Sequence, residues 1–361
     1  MAIFLDEMLN VNENKEVFSG ELQQLSEKMN CTQFQNRFCR EDGGIEICYE
    51  AEVALNELDL EMGGYEFKAL QEAEGEGEAK EKSVWAKIKD KVKEFFNYIW
   101  GIILKIWNGV KGFFEYIIKY FNGKADEELK KRVADAEAKA TADEKKRITD
   151  ILAVELVYDP DKMSKPINTC REAFNKFFVA TDAYLSMTVQ DQAKKDEATK
   201  KRQAIDKAEG ELLKAIEALN AIDMDVKIQK NKNQQYAKQA RSASEINGYI
   251  DKIDGYKSEF QNLAKKCDET VKKGKGVCEY GKKLADAYDA AVKADKSKDA
   301  EDKKEAVAET KKQASKAAKA TQITSRLMQT FFNKIKTLRQ NYKKALQKID
   351  STLKQYTKRG L

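Results

Sequence analysis

The chain has 361 residues, of which 66 are Lys or Arg, 61 are Asp or Glu and none is His, so its formal net charge is +5. A chain without His has no Ser-His-Asp or Cys-His catalysis, no HExxH metal site and no imidazole proton shuttle. It has only two prolines, Pro160 and Pro166, whereas a β-sandwich or barrel needs more Pro and Gly at its turns. The composition therefore predicts a helical protein that is not an enzyme, with no catalytic residue, cofactor or metal.

Residues 1–81 form an acidic N-terminal segment, with 20 Asp or Glu against 6 Lys or Arg and a net charge of −14. Within it, Leu22, Leu25 and Met29 recur at helical spacing, which predicts a small helical unit over 1–70. The following stretch, 72–81, contains five Glu and two Gly. Neighbouring like charges repel and Gly adds backbone freedom, so 72–81 is predicted to be an exposed, protease-accessible linker.

Residues 82–124 form an aromatic segment that contains all three tryptophans of the chain. Apolar residues recur there every three or four positions, which predicts one face of a helix or helical hairpin. The longest run without a charge, 95–104, is too short for an ordinary transmembrane helix. Two interpretations stay open: the centre of a helical bundle, or a membrane interface with the aromatic residues inserted. The residues concerned are Trp85, Phe95, Phe96, Trp100, Ile103, Trp107, Phe113 and Phe114.

Residues 125–361 are rich in Ala, Lys, Glu and Gln, which are strong helix formers. Pro160 to Pro166 is predicted to be a turn. The fold class is therefore all-α, with long antiparallel helices in a bundle or coiled coil and a small acidic helical segment in front. The predicted helices lie near 125–157, 167–188, 190–245, 246–272, 277–295 and 303–357.

Two further patterns in the sequence predict no site. The six cysteines, Cys31, Cys39, Cys48, Cys170, Cys267 and Cys278, show no CxxC spacing. Since the N-terminus has no features of a secretory signal, free thiols are expected. The run 276–283 resembles a phosphate-binding Walker A loop, but Lys283 stands where that motif requires Ser or Thr.

The C-terminal stretch, 303–361, is strongly basic, with 16 basic and 3 acidic residues and a net charge of +13. Cations at this density bind the phosphate backbone of nucleic acids independently of the base sequence, and that binding weakens as the salt concentration rises. The alternative is a solvated helix face whose apolar stripe, from Leu327 to Leu353, docks on the bundle. The predicted polyanion contacts are Lys311, Lys312, Arg326, Lys334, Lys336, Arg339, Lys343, Lys344, Lys358 and Arg359.

The charge reverses near residue 81, because residues 82–361 hold 60 basic and 41 acidic residues and a net charge of +19. This layout resembles that of the internal head proteins of large tailed phages. The resemblance implies an acidic propeptide that targets the chain to the assembling capsid and is removed by a prohead protease. In T-even phages that protease cuts after Leu/Ile-x-Glu, and in giant nucleus-forming phages after Ser/Ala/Gly-x-Glu. Two matching positions lie beside the charge reversal, Leu70 to Glu72 before Ala73 and Ala79 to Glu81 before Lys82. The triplets that end at Glu21, Glu46 and Glu66 fit the second pattern too, but they lie away from the reversal.

The resemblance also implies partners and a location. The basic body would be packaged with DNA inside the virion, after assembly with capsid and scaffold proteins in the host cytoplasm, and then ejected with the DNA. On this hypothesis, the aromatic segment would either act at the host membrane or chaperone ejection. Two alternatives remain open: an α-helical membrane-active or pore-forming protein, and an unprocessed cytosolic coiled-coil scaffold.

Overall fold

The computed structural model describes residues 78–122, 124–143, 152–156, 160–188, 192–222, 226–230, 242–294 and 297–359. The predicted acidic helical unit over 1–70 and Cys31, Cys39 and Cys48 lie outside these ranges. Helices make up nearly all of the described chain, so the predicted all-α class is confirmed. In chain order the elements are α1 (Glu78–Phe121), α2 (Lys124–Lys139), β1 (Leu152–Leu156), α3 (Pro160–Leu185), α4 (Gln192–Asn220), β2 (Val226–Lys230), α5 (Ala243–Asp254), α6 (Lys257–Lys293) and α7 (Ser297–Arg359).

The aromatic segment is one continuous helix, α1, rather than a helical hairpin. It begins at Glu78, so the last four residues of the predicted linker, 78–81, are helical. The prediction of a linker over the whole of 72–81 is therefore wrong at its C-terminal end. Side chains recurring every three or four positions give α1 a long apolar face, and burying that face holds a helix of 44 residues together.

Several predicted boundaries differ from the structure. The predicted turn at Pro160–Pro166 is wrong, because α3 begins at Pro160 and contains Pro166. Proline is tolerated at the first helical position, where the backbone N–H has no helical partner. The predicted break near 273–276 is also wrong, since α6 runs unbroken from Lys257 to Lys293. The break falls instead at Gly255, which caps α5 through its backbone N–H.

A short antiparallel ribbon replaces parts of two predicted helices. Strand β1 pairs with β2, with Leu152 opposite Lys230 and Leu156 opposite Val226. The predictions of helix over all of 125–157 and 190–245 are therefore wrong. The alternation of Leu152, Val154 and Leu156 has the two-residue period of a strand, and β-branched residues favour strands.

The chain divides into two compact units. Of the described residues, those within 78–110, 177–207 and 265–326 form the first unit, and those within 111–176, 208–264 and 327–359 form the second. Helices α1, α3, α4, α6 and α7 each contribute residues to both.

In the first unit, α1 and α6 pack antiparallel. Phe96 of α1 lies against Gly281 of α6, and Ile103 lies against Gly274. Two ion pairs continue the same register, Lys93 with Asp286 at 2.6 Å and Lys89 with Asp289 at 3.5 Å. The glycines let the bulky residues of α1 approach the α6 backbone closely.

A buried polar cluster joins α3, α4 and α7 in the same unit. The Tyr184 hydroxyl donates to Glu309 at 2.6 Å, and the Arg202 guanidinium lies 3.5 Å from the same carboxylate. The side-chain amide of Gln313 donates to the carbonyl of Tyr184 at 2.8 Å. Burial, followed by the bond to Glu309, raises the pKa of Tyr184 far above its usual value, so the hydroxyl remains a donor.

In the second unit, aromatic rings from α1, α6 and α7 form the core. Phe332 of α7 contacts Phe113, Tyr120 and Phe260 with ring centroids between 5.3 and 6.2 Å apart. Edge-on ring pairs of this kind stabilise a core beyond their area burial. The N-terminus of α5 is capped twice, by the Ser242 side chain and by the Glu137 carboxylate, which accepts from the Ala243 and Ser244 amides.

Candidate polyanion-binding surface

The aromatic segment forms part of the protein core. Phe95, Phe96, Ile103 and Trp107 are at most 8 % exposed. Trp100, Phe113 and Phe114 are half-buried, and the Trp85 side chain lies outside the described part. In the conformation described, the bundle interpretation of α1 holds, because its apolar face is already covered by protein. Within the described residues, no helix has a stretch that is both long and apolar enough to span a membrane.

The predicted cleavage positions fall on two sides of the start of α1. Leu70, Glu72 and Ala73 lie outside the described residues. Ala79, Glu81 and Lys82 lie in the first turns of α1. A peptide bond within a helix must unwind before a protease can reach it, so the second position requires fraying of the helix end.

Two of the ten predicted polyanion contacts are buried. Lys311 is 3 % exposed and Arg339 is 4 % exposed. The Arg339 guanidinium bonds both carboxylate oxygens of Asp254, at 2.7 and 3.4 Å, and lies over the ring of Tyr120. For these two residues the prediction of a surface phosphate contact is wrong, because interior packing and pairing occupy their side chains.

Two other predicted contacts bond neighbouring elements, and a third pairs within α7. Lys334 donates to the carbonyls of Asn220 and Ile222, at 2.5 and 3.0 Å, and so caps the C-terminal end of α4. Lys336 donates to the Tyr116 hydroxyl at 3.4 Å. Lys312 is exposed and lies 3.8 Å from Glu309.

The remaining predicted contacts differ in exposure. Arg326 and Lys343 are half-buried, and Lys344 is exposed. The side chains of Lys358 and Arg359 lie outside the described part, although their backbone belongs to α7. Of the predicted set, Lys344 in the second unit is therefore an exposed cation on which a phosphate-binding surface can be built.

The apolar stripe of α7 and its solvent face separate cleanly in the second unit. Leu327, Phe331, Ile335, Leu338, Tyr342, Leu346 and Ile349 are all at most 4 % exposed. The opposite face, which we name the α7 donor face, recurs every three or four residues. It consists of Asn333, Thr337, Gln340, Lys344, Gln347, Lys348, Ser351 and Lys354, all of them exposed.

The α7 donor face contains no carboxylate. The nearby acid, Asp350, is 7 % exposed and bonds Arg132 and Lys354 at 3.0 and 2.9 Å. Burial raises the pKa of Asp350, but the hydrogen bonds and charges of Lys354 and Arg132 outweigh this and bring it below the usual range. Asp350 therefore stays ionised at neutral pH and is neutralised by its own partners.

Apart from Ser351, whose hydroxyl donates to the Lys348 carbonyl at 2.8 Å, the side chains of the α7 donor face are of types that can donate a hydrogen bond to a phosphate oxygen. Ammonium, amide and hydroxyl groups are the side-chain types that contact the nucleic-acid backbone. Residues 333–354 span about 32 Å along a helix, close to one turn of duplex DNA. The arrangement suits a long polyanion better than a small ligand.

The uncharged members of the α7 donor face are not among the predicted polyanion contacts. Asn333, Thr337, Gln340, Gln347 and Ser351 carry no charge, and the prediction considered only cations. Their common helical spacing, opposite the apolar stripe, was the available signal.

The described cysteines and the run 276–283 lie within helices α3 and α6. Cys170, Cys267 and Cys278 are free and buried. Among the described residues, no group of three or more acidic or cysteine side chains is arranged to hold a metal ion. The run 276–283 lies inside α6, where its amides belong to a helix rather than to a phosphate-binding loop.

Comparison with known proteins found no match for this chain among protein-family models, curated proteins or solved structures.

Proposed function

We propose that this protein is an internal head protein of a tailed phage, packaged with DNA inside the virion. The observation that carries the proposal is the charge reversal near residue 81, from a net −14 over 1–81 to a net +19 over 82–361. The reversal coincides with two protease-like triplets, ending at Glu72 and Glu81. A removable acidic segment would keep the basic body from binding nucleic acid too early, and its removal would release that body onto DNA.

The acidic segment would also direct the chain to capsid and scaffold proteins in the host cytoplasm during assembly. Of the two cleavage positions, the bond after Glu72 precedes α1, whereas the bond after Glu81 lies within it. Cleavage after Glu72 leaves the whole of α1 on the mature protein without unwinding it. We therefore propose Glu72–Ala73 as the principal bond cut by the prohead protease.

The α7 donor face would hold the DNA backbone within the particle. Lys344 and Lys348 supply charge, and Asn333, Thr337 and Gln340 supply further donors. Such contacts are independent of base sequence, as packaging requires, and they release counterions, so binding should fall steeply with salt.

Processing is tested by the intact mass and N-terminal residue of the protein from purified virus particles. A mature form beginning at Ala73 or Lys82 supports the proposal, and the first is expected to predominate. A particle-associated form running from Met1 contradicts processing. Absence of the protein from the particles contradicts the proposal as a whole.

DNA binding is tested with the full-length chain and with a form lacking residues 1–72, each titrated with duplex DNA over a range of salt. The shortened form should bind more tightly at low salt. Lys344→Gln with Lys348→Gln should reduce the slope of log affinity against log salt by about 2, which corresponds to two lost phosphate contacts.

The matched control is Lys207→Gln with Lys214→Gln, which removes two exposed cations from α4. These lysines lie outside the α7 donor face, on a helix that also carries the exposed carboxylate Glu211. The control should leave the slope nearly unchanged. An equal effect of both double variants would show that net charge, rather than this face, determines binding.

A further inference from the structure

Tyr116 is exposed at the edge of the α7 donor face. Of the large hydrophobic side chains in the described part, Tyr116 and Val179 alone are exposed, at 46 % and 64 %. Tyr116 contrasts with the next aromatic residues of α1, since Tyr120 is half-buried and Phe121 is buried. Exposure of a large aromatic ring beside cations is typical of surfaces that bind single-stranded nucleic acid.

The ring of Tyr116 is held in a defined orientation by its neighbours. It stacks on Phe113 at 6.3 Å with an interplanar angle of 25°, and meets Phe332 edge-on at 5.5 Å. The Lys336 ammonium donates to its hydroxyl at 3.4 Å. Because the ring is already ordered, a ligand that stacks on it loses little side-chain entropy on binding.

Groups suited to phosphate surround this ring. Lys119 lies nearly one turn further along α1 and is exposed. Lys336 approaches from α7, and its ammonium lies 5.9 Å from the centroid of the Tyr116 ring. Glu115 is exposed beside Tyr116 and opposes an anion, so two cations stand against one acid here.

We infer that Tyr116 stacks on an unpaired nucleic-acid base while Lys119 and Lys336 bind the adjoining phosphates. A base within a duplex already stacks on its neighbours, whereas a base in a single strand leaves a face free for the ring. The α7 donor face binds backbone of either kind, and Tyr116 adds affinity for single strands alone. This inference rests on the proposed function, because it assigns a specific role to the edge of the same surface.

The test compares Tyr116→Ala and Tyr116→Phe in the otherwise unchanged chain. Binding to a labelled single-stranded thymidine oligonucleotide and to a duplex of equal length is measured by fluorescence anisotropy at fixed salt. Loss of one stacked base should weaken single-strand binding about tenfold in Tyr116→Ala. Tyr116→Phe keeps the ring and should stay within about twofold of wild type, and neither variant should change duplex binding.

Val179→Ala is the matched control, because it removes the other exposed large hydrophobic side chain, which lies on α3. It should leave both affinities unchanged. Unaltered single-strand binding by Tyr116→Ala, with normal duplex binding, overturns the role of Tyr116 and leaves the proposed function standing. The proposed DNA contact itself is overturned if neither the wild-type chain nor the form lacking residues 1–72 binds either oligonucleotide at low salt.

Discussion

Gly281 of α6 lies so close to Phe96 of α1 that a β-carbon added at this glycine would overlap the phenyl ring. Seven residues earlier, a β-carbon at Gly274 would come within 3.0 Å of Ile103 and 3.1 Å of Ala317. Two glycines at heptad spacing thus receive two bulky residues of α1 at the same spacing. The buried face of α1 depends on this fit, because close-packed interiors leave no room for an added methyl group.

Gly281→Ala should destabilise the first unit. The added methyl group must displace the Phe96 ring, and overpacking of this kind costs about 1–3 kcal/mol. That cost exceeds or cancels the gain of about 1 kcal/mol that Ala brings to a helix interior. Urea unfolding followed by circular dichroism measures the change.

The matched control is Gly276→Ala on the same helix. Gly276 is exposed and has no atom within 4 Å of an added β-carbon. Alanine there should raise the free energy of unfolding by up to about 1 kcal/mol. Equal stabilisation by both substitutions would contradict the close contact with Phe96.

The Arg339–Asp254 pair should be much more costly to break than a surface pair. The Arg339 side chain is 5 % exposed, so Asp254→Ala leaves a buried guanidinium without its carboxylate. Removal of one partner from a buried pair costs about 3–5 kcal/mol. The measurement is the free energy of unfolding in urea.

Two further variants test this explanation. Asp254→Ala combined with Arg339→Met removes both charges and should recover much of the loss. Lys176→Ala breaks the exposed pair with Glu211 and should cost no more than about 1 kcal/mol. A double variant as unstable as Asp254→Ala would show that the loss does not come from the unpaired charge.

Asp350 should make stability depend on pH in the acid range. The pKa of Asp350 is lower in the folded protein than in the unfolded chain, where the pKa of an Asp is about 3.9. The stabilisation that ionised Asp350 contributes is therefore complete above its pKa in the unfolded chain. It is lost as the pH falls through its pKa in the folded protein. At neutral pH, Asp350→Asn should lower the free energy of unfolding by about 1.5 kcal/mol. The loss is moderate because the side chains of Arg132 and Lys354 remain partly solvated.

The measurement is the difference in unfolding free energy between wild type and Asp350→Asn, determined from pH 7 downward. That difference should shrink below about pH 4. Asp135→Asn, at an exposed carboxylate of α2, controls for the loss of one negative charge. A constant difference across this range would exclude the proposed linkage.

The three described thiols should be unreactive in the folded protein. Burial raises the pKa of Cys170 to about 11 and that of Cys278 to about 12, and it raises the pKa of Cys267 further. The thiolate is the reactive form, so very little of it exists at pH 8. Peptide mass spectrometry after iodoacetamide treatment should find these thiols unmodified in buffer and modified in urea.

Val179→Cys supplies the positive control, because position 179 is exposed. A cysteine there should be modified rapidly in the folded protein while the three buried thiols are not. Equally rapid native modification of Cys278 would show that α6 opens readily at this position.

The sequence by itself determined the helical class and the faces of two helices. The spacing of Phe95, Ile99, Ile103 and Ile106 is sufficient to assign α1 and its buried side, because the helical period is local. The stripe of α7 from Leu327 to Ile349 follows for the same reason. Both sets are buried as this period requires.

The tertiary structure alone decided which polar residues are buried. Residues 313–325 of α7 contain Gln313, Thr321, Gln322, Thr324 and Ser325, which have no apolar period yet are at most 8 % exposed. Their burial depends on neighbouring helices that lie far away in the sequence. The pairing of Leu152 with Lys230 is likewise non-local, so helix propensity alone mispredicted both strands.

The same distinction applies to the candidate surface. A count of basic residues selects Lys311, Arg339 and Lys344 alike, yet the first two are buried and the third is exposed. Charge is a property of each residue and can be read along the chain. Exposure is a property of what packs around that residue, because only the folded contacts, such as Asp254 against Arg339, determine which cations remain at the surface to bind a partner.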